Sequence, residues 1–410
     1  MDAQCSVCGR VMLRAADSMP YACPDCGGSL LLRYPDAPKA WKDASQPGMW
    51  KYGKLLPPVP DACKLFLGEG GTPLVKSRNL AKRLNIGELY FKLESVNPTG
   101  SYKDRIAAIG VSWAMANRRP ACIGTTSGNA GAAFAAYAAV ARMPYHLFVL
   151  EHMAEAKLAQ VLAYNAMVRK VIGFGTDPDV GDRVFRSVLE AGAAHDWEVT
   201  VTAIQYNPYA MEGVKTIAFE LAEQLPAPAT HVYAPVGGAG LYCGIWKGFH
   251  ELRERGEIPA QPQMVAVQSA GCSNIVQAYE AGVRLPVPGR STSSISGLQV
   301  PNPPDGALAL SIMARGDGSA VAVEDSAIWD AQRLLAEEEG ILAEPAAAAS
   351  LAGLIRECRE SGGMPDRSVV CIISGIGFKD GQRLMDLAAH KQVPLLESTA
   401  LGLEVEETIR

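Results

Sequence analysis

The sequence predicts an α/β protein with two doubly wound parallel-sheet domains and a small cysteine-rich unit at the N-terminus. Strand-like runs alternate with helix-like runs from about residue 88 to residue 374, which indicates crossover units and parallel sheets. Four of the strand-like runs end in turns that contain glycine. Two pairs of cysteines precede the alternating region, so they are expected to form a separate unit.

The composition is that of an ordinary soluble enzyme. The chain has 410 residues, of which 48% are hydrophobic and 20% charged, enough for two or three domains. A net charge of −5 argues against nucleic acid or an anionic membrane as an electrostatic partner. No apolar run reaches the roughly 20 residues of a membrane helix, and no signal-peptide pattern is present. Ten cysteines without that signal predict reduced thiols and a cytoplasmic location.

Residues 1–34 are predicted to form a zinc ribbon. Two C-x-x-C pairs, Cys5 with Cys8 and Cys23 with Cys26, are each followed by glycine, and 14 residues separate them. Two such turns can direct four thiolates to one tetrahedral zinc ion, and four sulfur ligands leave no open position, so the zinc is expected to be structural. A redox dithiol and free cysteines remain the alternatives. The unit has only three basic side chains, which does not indicate nucleic-acid binding.

The rest of the chain is predicted to form a large and a small α/β domain. Residues 35–60, rich in proline and aromatic residues, resemble an irregular linker that lies against a domain. The large domain is assigned to residues 35–107 and 215–395, the small domain to residues 108–214, and a tail to residues 396–410. The predicted strands are residues 88–94, 121–125, 145–150, 168–174, 198–204, 231–235, 264–268 and 369–374. The predicted helices are residues 79–84, 105–116, 132–141, 154–164, 180–193, 214–224, 241–255, 326–339 and 346–358.

Lys103 lies where the loop after the first of these strands becomes a helix. The positive end of the helix dipole disfavours an ammonium group there, whereas a neutral amine or a Schiff base is disfavoured less. A lysine held in a loop and partly desolvated could form a Schiff base with an aldehyde. The alternative is an ordinary solvated lysine.

Three further loops each offer a complementary group at the carboxyl ends of strands, where open α/β sheets bind ligands. The loop Thr125–Ala130 presents hydroxyls and backbone amides at a helix start, which suits a carboxylate, although Ser127 or Asn129 could simply cap that helix. The glycine-rich loop at residues 237–241 can bring several backbone amides to a phosphate. It lacks the lysine-threonine pair of a nucleotide P-loop and the pattern of a dinucleotide fingerprint.

Ser374 ends the last predicted strand, and its hydroxyl could hydrogen-bond a ring nitrogen or simply terminate the strand. An amine for an aldehyde, a phosphate loop, a carboxylate loop and a neutral hydroxyl together suit pyridoxal phosphate. A hydroxyl partner leaves the pyridine nitrogen unprotonated and makes the ring a weaker electron sink. That difference favours elimination and replacement over transamination.

These features resemble the fold type II pyridoxal-phosphate enzymes, and within them the threonine synthase-like group. The resemblance extends from about residue 5 to about residue 390 and is most specific around Lys103. Many members of the group also carry an N-terminal zinc ribbon and are dimers, so the resemblance implies a homodimer. The matching stretches are residues 69–74, 97–105, 127–129, 207–208, 212–216, 235–237, 246–249, 344–346, 374–375 and 379–380.

The resemblance also implies a role for each matched site residue. Lys103 is implied to carry the cofactor as an aldimine and to act as general base, Asn129 to contact the pyridoxal 3′-oxygen, and Ser374 the pyridine nitrogen. The residues implied to hold the cofactor phosphate are Gly237, Gly238, Ala239, Gly240 and Leu241. The residues implied to frame the substrate carboxylate are Thr126, Ser127 and Ala130.

The chain departs from the threonine synthase pattern where that pattern binds the substrate phosphate. The family's arginine two residues after Asn-Pro is Ala210 here, and a phosphate-binding serine corresponds to Gln205. Loss of a charged phosphate ligand commonly costs several kcal/mol, which argues against O-phosphohomoserine as the substrate. Lys157 or Arg142 could compensate, but their spacing in the sequence selects neither.

The favoured hypothesis is a pyridoxal-phosphate lyase that catalyses β- or γ-elimination or replacement on an amino acid through an aldimine at Lys103. The alternatives are a threonine synthase with a rebuilt phosphate site, a serine/threonine dehydratase-like ammonia-lyase and a cysteate synthase-like enzyme that performs β-replacement. A hypothesis of a different class is a non-catalytic zinc-ribbon interaction protein on an enzyme scaffold.

Overall fold

The computed structural model describes residues 1–13, 20–389, 391, 393 and 395. Its strands form sheets of three, six and four strands, and the predicted α/β class with parallel sheets is confirmed. Among these residues, no helix combines the length and apolar character needed to cross a membrane. The predicted tail at residues 396–410 lies outside the described residues. The strands are β1 (Asp2–Cys5), β2 (Val11–Met12), β3 (Leu30–Arg33), β4 (Leu74–Lys76), β5 (Ile86–Leu93), β6 (Cys122–Thr126), β7 (Tyr145–Leu150), β8 (Met167–Val171), β9 (Glu198–Val199), β10 (His231–Pro235), β11 (Gln263–Ser269), β12 (Gly318–Val323) and β13 (Met364–Ile373).

Helices follow most of the strands and cover the sheets, as crossover connections require. They are α1 (Leu80–Arg83), α2 (Lys103–Ala116), α3 (Asn129–Val140), α4 (Glu155–Ala163), α5 (Pro178–His195), α6 (Pro208–Gln224), α7 (Gly240–Glu254), α8 (Asn274–Glu280), α9 (Gly306–Ala314), α10 (Asp325–Glu339), α11 (Pro345–Ser361) and α12 (Gly381–Ala388).

The six-stranded sheet has the order β12-β11-β10-β13-β5-β4. Its first five strands are parallel, and β4 pairs antiparallel with β5 at one edge. Alternate residues of the central strands face two apolar cores. One core contains residues of α2, α6 and α7, and the other contains residues of α10 and α11. Because both faces are covered, these strands are continuous apolar runs rather than alternating ones.

The four-stranded sheet has the order β8-β7-β6-β9, and all of its neighbouring strands are parallel. The alanine-rich helix α3 follows β6 and is buried along most of its length. The two parallel sheets agree with the predicted pair of α/β domains. The domain limits at residues 107 and 214 stay predictions, because strand pairing does not define them.

The N-terminal sheet has β1 between β2 and β3, with both pairings antiparallel. It packs on α6 through two tyrosines. Tyr34 donates a hydrogen bond to Glu212 Oε2 at 3.0 Å, and the rings of Tyr21 and Tyr209 lie 5.0 Å apart. The small cysteine-rich unit is therefore attached to the helix that follows the four-stranded sheet.

The segment predicted as a linker at residues 35–60 is packed against the same helix. It contains a 3-10 helix, Gly48–Leu55, and its Trp41 and Tyr52 are buried. The rings of these two residues lie 5.0 and 5.3 Å from the ring of Phe219. The segment is irregular, as predicted, and its aromatic side chains extend the core.

Two predicted elements differ from the structure near the site. The strand predicted over residues 198–204 is wrong beyond Val199, because the backbone amides of Ile204 and Gln205 bond to the carboxylate of Asp305 instead of a neighbouring strand. The helix predicted to begin at residue 214 begins at Pro208, because Asn207 caps it by accepting a hydrogen bond from Ala210 N at 2.9 Å. Strand β12 and helices α8, α9 and α12 were not predicted.

Candidate active site

Three of the four predicted loops meet at the carboxyl edge of the six-stranded sheet. Strands β10, β13 and β5 are adjacent and parallel. The glycine-rich loop follows β10, Ser374 follows β13, and the loop that carries Lys103 follows β5. The carboxyl ends of parallel strands lie at one edge, which is where α/β sheets bind ligands. Segments far apart in the sequence are thus brought together.

Lys103 is the first residue of α2. Its Nζ donates a hydrogen bond to Thr202 Oγ1 at 2.6 Å. Burial lowers the pKa of Lys103 to about 7, although the charges of Asp305 and Glu344 oppose this shift. The helix dipole acts in the same direction as burial. The amine is therefore substantially neutral at physiological pH, as a nucleophile or general base requires.

The loop that carries Lys103 is held against the extension of β13. Tyr102 N donates to Ser374 O at 3.0 Å, and Ile376 N donates to Gly100 O at 2.9 Å. Gly100 has a φ of +86°, and a Cβ atom built there would lie 2.7 Å from the Ile376 side chain. Ser374 is buried beside this contact. The strand end therefore fixes the backbone from which the lysine projects.

The glycine-rich loop has the form of an anion-binding site at the start of α7. Among the described residues, no backbone carbonyl accepts a hydrogen bond from the amides of Gly237, Gly238 or Ala239. A Cβ atom on Gly240 would lie 2.6 Å from Met211 Cε and 3.1 Å from Asp305 Oδ2. Free amides at a helix N-terminus fit a phosphate group. Leu241, the last residue of the predicted loop, is buried.

Asp305 connects this loop to the segment after β9, and the sequence did not point to it. Its carboxylate accepts hydrogen bonds from Ile204 N at 2.9 Å and Gln205 N at 3.0 Å, and its own backbone amide donates to Gly238 O at 3.1 Å. Burial raises the pKa of Asp305 to about 7, opposed by those two amides and by Lys103. In the sequence, the only feature that marks Asp305 is its position just before a helix, here α9. Acidic residues are common at such positions, so this feature does not identify a site residue.

In the loop after β6, Thr126 performs the capping role that the sequence allowed for Ser127 or Asn129. Thr126 Oγ1 accepts hydrogen bonds from Gly128 N at 2.8 Å and Gly131 N at 2.9 Å, which is a capping role. Ser127 remains partly exposed and Ala130 is buried in the first turn of α3. Asn129 Nδ2 donates to Glu344 Oε1 at 2.7 Å. Its Oδ1 is buried without a partner among the described residues.

Glu344 also contacts Lys157. From the sequence, Lys157 is a candidate to replace the missing phosphate-binding arginine. The Lys157 amine lies 3.3 Å from Glu344 Oε2 and 3.3 Å from Ser296 Oγ. A Cβ atom on Gly128 would clash with the Lys157 stem, so the side chain lies over the loop after β6. Arg142 is exposed and follows the C-terminal end of α3. That helix has 12 residues and is about 18 Å long, so Arg142 is far from the loop at its N-terminus.

The two departures from the family pattern occupy different surroundings. Gln205 is partly exposed and lies beside Asp305 through its backbone amide. Ala210 is buried, and a Cβ atom on Gly110 would lie 3.1 Å from Ala210 Cβ. Ala210 is therefore packed against α2 and contributes no charge.

The four ribbon cysteines converge on one point. Their sulfur atoms all lie within 4.8 Å of one another, with 3.5 Å between Cys5 and Cys26 and 3.7 Å between Cys8 and Cys23. Four sulfurs about 2.3 Å from a tetrahedral zinc ion lie about 3.8 Å apart. The backbone amides of Val7 and Cys8 also point to Cys5 Sγ, at 3.4 and 3.5 Å. The donor set fits zinc.

Comparisons with known proteins agree with this geometry. Residues 65–375 match the family model described as pyridoxal-phosphate dependent enzyme. The threonine synthase of Methanocaldococcus jannaschii is 36% identical over 387 residues, which is 92% of each chain. The threonine synthase of Methanosarcina acetivorans is 35% identical over 400 residues, which is 95% of each chain.

Solved structures show the same fold at lower sequence identity. Diaminopropionate ammonia lyase from Escherichia coli superposes with a TM-score of 0.67 at 16% identity, covering 82% of this chain and 96% of that one. Threonine deaminase isoform 2 from Solanum lycopersicum gives a TM-score of 0.64 at 18% identity, covering 86% and 95%. The chain therefore belongs to the pyridoxal-phosphate-dependent enzyme family, in its threonine synthase-like group of lyases.

Proposed function

We propose that this chain converts O-phosphohomoserine and water to threonine and inorganic phosphate, with Lys103 as the residue that binds the cofactor and moves protons. One geometric observation carries the assignment of the site: Lys103, Ser374 and the glycine-rich loop follow three adjacent parallel strands. The similarity to threonine synthases over 92% or more of the chain supports the choice of reaction.

The residues at the sheet edge suit pyridoxal phosphate at every polar position. Lys103 would hold its aldehyde carbon and the amides of residues 237–241 its phosphate, while Ser374 would face the pyridine nitrogen and Asn129 the 3′-oxygen. When bound, the cofactor withdraws electrons from the substrate α-carbon and so makes its proton acidic. A neutral serine partner for the ring nitrogen favours elimination and replacement over transamination.

The chain's own residues would then bind the substrate and transfer its protons. Lys103, with its lowered pKa, removes the proton from the substrate α-carbon. Thr202, 2.6 Å from the amine, orients the lysine. Thr126 already accepts hydrogen bonds from the amides of Gly128 and Gly131. The other backbone amides at the start of α3, together with Ser127, bind the substrate carboxylate.

One observation favours a second candidate, β-elimination or β-replacement on a smaller amino acid, as in ammonia-lyases and cysteate synthases. Ala210 is neutral and packed against α2 at the position where the family resemblance implies a phosphate-binding arginine. A substrate without a phosphate on its γ-carbon would not require that arginine.

Assays of the purified holoenzyme with different substrates separate these functions. We expect O-phosphohomoserine to give threonine and phosphate in equal amounts. Release of ammonia and a 2-oxo acid from serine or threonine, without phosphate release from O-phosphohomoserine, would support the ammonia-lyase. Formation of cysteate from O-phosphoserine and sulfite would support the second candidate in its replacement form. A purified protein without visible cofactor absorbance and without any turnover would support the non-catalytic interaction protein.

We also propose a structural zinc ion in the ribbon, a homodimer and a cytoplasmic location. The converging sulfurs support the zinc, and the family resemblance supports the dimer. Sedimentation analysis of the purified protein tests the oligomeric state.

The zinc site gives a direct prediction. Wild-type protein should retain about one zinc ion per chain after dialysis, and Cys23→Ser should lose it, because three thiolates bind the ion less tightly than four. Metal analysis by mass spectrometry measures this. Cys63→Ser is the matched control, because Cys63 is a free cysteine outside the ribbon. Wild-type protein that is folded and free of zinc would contradict the assignment.

The pKa of Lys103 predicts how the apoprotein takes up pyridoxal phosphate. Only the neutral amine attacks an aldehyde. With a pKa of about 7 instead of 10.5, about nine-tenths of the amine is neutral at pH 8, compared with under about 1% for an ordinary lysine. The rate of cofactor uptake should therefore rise from about pH 6 and level off near pH 8. A rate that rises continuously toward pH 10 would show an unperturbed lysine.

A further inference from the structure

We propose that Lys157 and Lys379 form a binding site for the anionic side-chain substituent of the substrate, and so perform the role that an arginine performs at position 210 in the family pattern. This inference rests on the proposed function and assigns residues to one part of it. The ligand class is an amino acid whose side chain carries a phosphate group.

Lys157 is fixed in a position that leaves hydrogen-bonding capacity unused. The residue is only 4% exposed, and its stem lies over Gly128 in the loop after β6. Its ammonium group has three hydrogens, and one of them is donated to Ser296 Oγ at 3.3 Å. Glu344 Oε2, also 3.3 Å away, forms an ion pair with the amine but no hydrogen bond. Two donors therefore remain for a ligand beside the loop assigned to the substrate carboxylate.

Lys379 is buried with no hydrogen-bond partner at all in the described chain. It is 5% exposed, and its Nζ is satisfied by neither a side chain nor a backbone carbonyl. An unpaired buried ammonium costs several kcal/mol, so such groups normally have a counter-ion. Burial lowers the pKa of Lys379 to about 8, while Glu344 and Asp104 oppose the shift and Lys157 adds to it.

The two carboxylates that act on Lys379, Glu344 and Asp104, form no hydrogen bond with it in the described chain. Glu344 Oε1 accepts a hydrogen bond from Asn129 Nδ2 at 2.7 Å. Glu344 Oε2 forms an ion pair with Lys157 but has no hydrogen-bond partner among the described residues. Asp104 has one oxygen bonded to the backbone amide and hydroxyl of Thr99, and its other oxygen has no partner among the described residues. Burial raises the pKa of Asp104 to about 7, so its negative charge is only partial near neutral pH. Because no group in the described chain accepts a hydrogen bond from Lys379, its ammonium group is available to an anionic ligand.

Lys157 and Lys379 belong to two elements that contact each other, and Lys379 is beside the loop that carries Lys103. Lys379 ends the 3-10 turn Gly377–Lys379 that follows Ser374, and its Cε would lie 3.1 Å from a Cβ atom on Gly100, three residues before Lys103. Helix α4, which carries Lys157, contacts this same turn. Lys379 is thus beside the loop that carries Lys103, and Lys157 is beside the loop after β6.

The test compares ligands with and without the phosphate. Binding of O-phosphohomoserine and of homoserine to the holoenzyme is followed through the visible absorbance of the cofactor. Lys157→Gln and Lys379→Gln should each weaken binding of the phosphorylated ligand about 10- to 100-fold, the usual loss for a hydrogen bond to a charged group. Binding of homoserine should change less than about threefold, a range within ordinary mutational scatter.

Controls separate this role from a structural one. Lys157→Arg should restore most of the affinity, because it keeps a charged donor, and Lys170→Gln, at an exposed lysine of β8, should have no effect. Inorganic phosphate binding to the holoenzyme, measured by calorimetry, should weaken in parallel in both glutamine variants. An unaltered cofactor spectrum shows that the cofactor site is intact.

Two results would overturn the proposal, and both differ from failure of the proposed function. An equal loss of affinity for both ligands would mean that the lysines bind the α-carboxylate. Unchanged binding of O-phosphohomoserine and phosphate would mean that they bind no anion. A wild-type enzyme that binds phosphate through these lysines but does not make threonine would refute the proposed reaction only.

Discussion

Lys103→Ala is expected to reduce kcat by about 10⁴-fold or more, the range for loss of a group that acts both covalently and as general base. Lys103 is the only lysine in the first turn of α2. Its Nζ is held by a hydrogen bond of 2.6 Å to Thr202 Oγ1. The variant should also lack the absorbance of a lysine-bound cofactor, while noncovalent cofactor binding through residues 237–241 persists. Steady-state kinetics and absorbance spectra of the purified variant measure both effects.

Two matched variants make this result specific. Lys82→Ala removes an exposed lysine of α1 and should leave kcat unchanged. Thr202→Val removes the partner of the amine but keeps the amine, so it should reduce kcat by a smaller factor, about 10-fold. A Lys103→Ala enzyme that kept more than a tenth of wild-type turnover would exclude this lysine as the reactive group.

Arg105→Met is expected to destabilise the protein by about 3–5 kcal/mol, the usual effect of removing one partner from a buried charge network. Arg105 is fully buried and binds two carboxylates, with Nε 2.7 Å from Glu94 Oε2 and Nη1 2.7 Å from Glu220 Oε1. Without the guanidinium, Lys92, 2.7 Å from Glu220 Oε2, is the only cation among the described residues that is left paired with either acid. The midpoint of urea unfolding measures the loss.

A control at the surface distinguishes burial from charge. Arg83→Met breaks an exposed ion pair with Glu338 and should change the free energy of unfolding by less than about 1 kcal/mol. If Arg105→Met does not fold, Arg105→Lys retains the charge with fewer donors and should show an intermediate loss. A change below about 1 kcal/mol in both Arg105 variants would show that the network does not support the fold.

The network also bears on catalysis, because Arg105 lies two residues after Lys103 in the first turn of α2. It ties that turn to the segment just after β5 through Glu94 and to α6 through Glu220. Variants at Arg105 that still fold should therefore place Lys103 less accurately and lose turnover as well as stability.

Elements with a strong local pattern were predicted closely. The strands at residues 145–150 and 231–235 agree with β7 and β10 at both ends, because each is a β-branched or aromatic run bounded by turn residues. The start of α6 was missed because Asn207 and Pro208 resemble a loop, yet they are favourable capping and first-turn residues. Strand β9 was overextended because a side chain distant in sequence, Asp305, takes the amides that a strand would pair.

The sequence alone determined the α/β class, the cysteine ribbon motif and the four loops that point to pyridoxal phosphate, because these depend on local periodicity, turn residues and short motifs. The tertiary structure decided which charged groups surround those loops. Glu344 is 215 residues from Asn129, and Asp305 is about 100 residues from the amides that it binds. Burial lowers the pKa of Lys103 and encloses Lys379, which has no hydrogen-bond partner among the described residues. Burial exists only in the folded chain, because it depends on packing between segments that no local pattern relates.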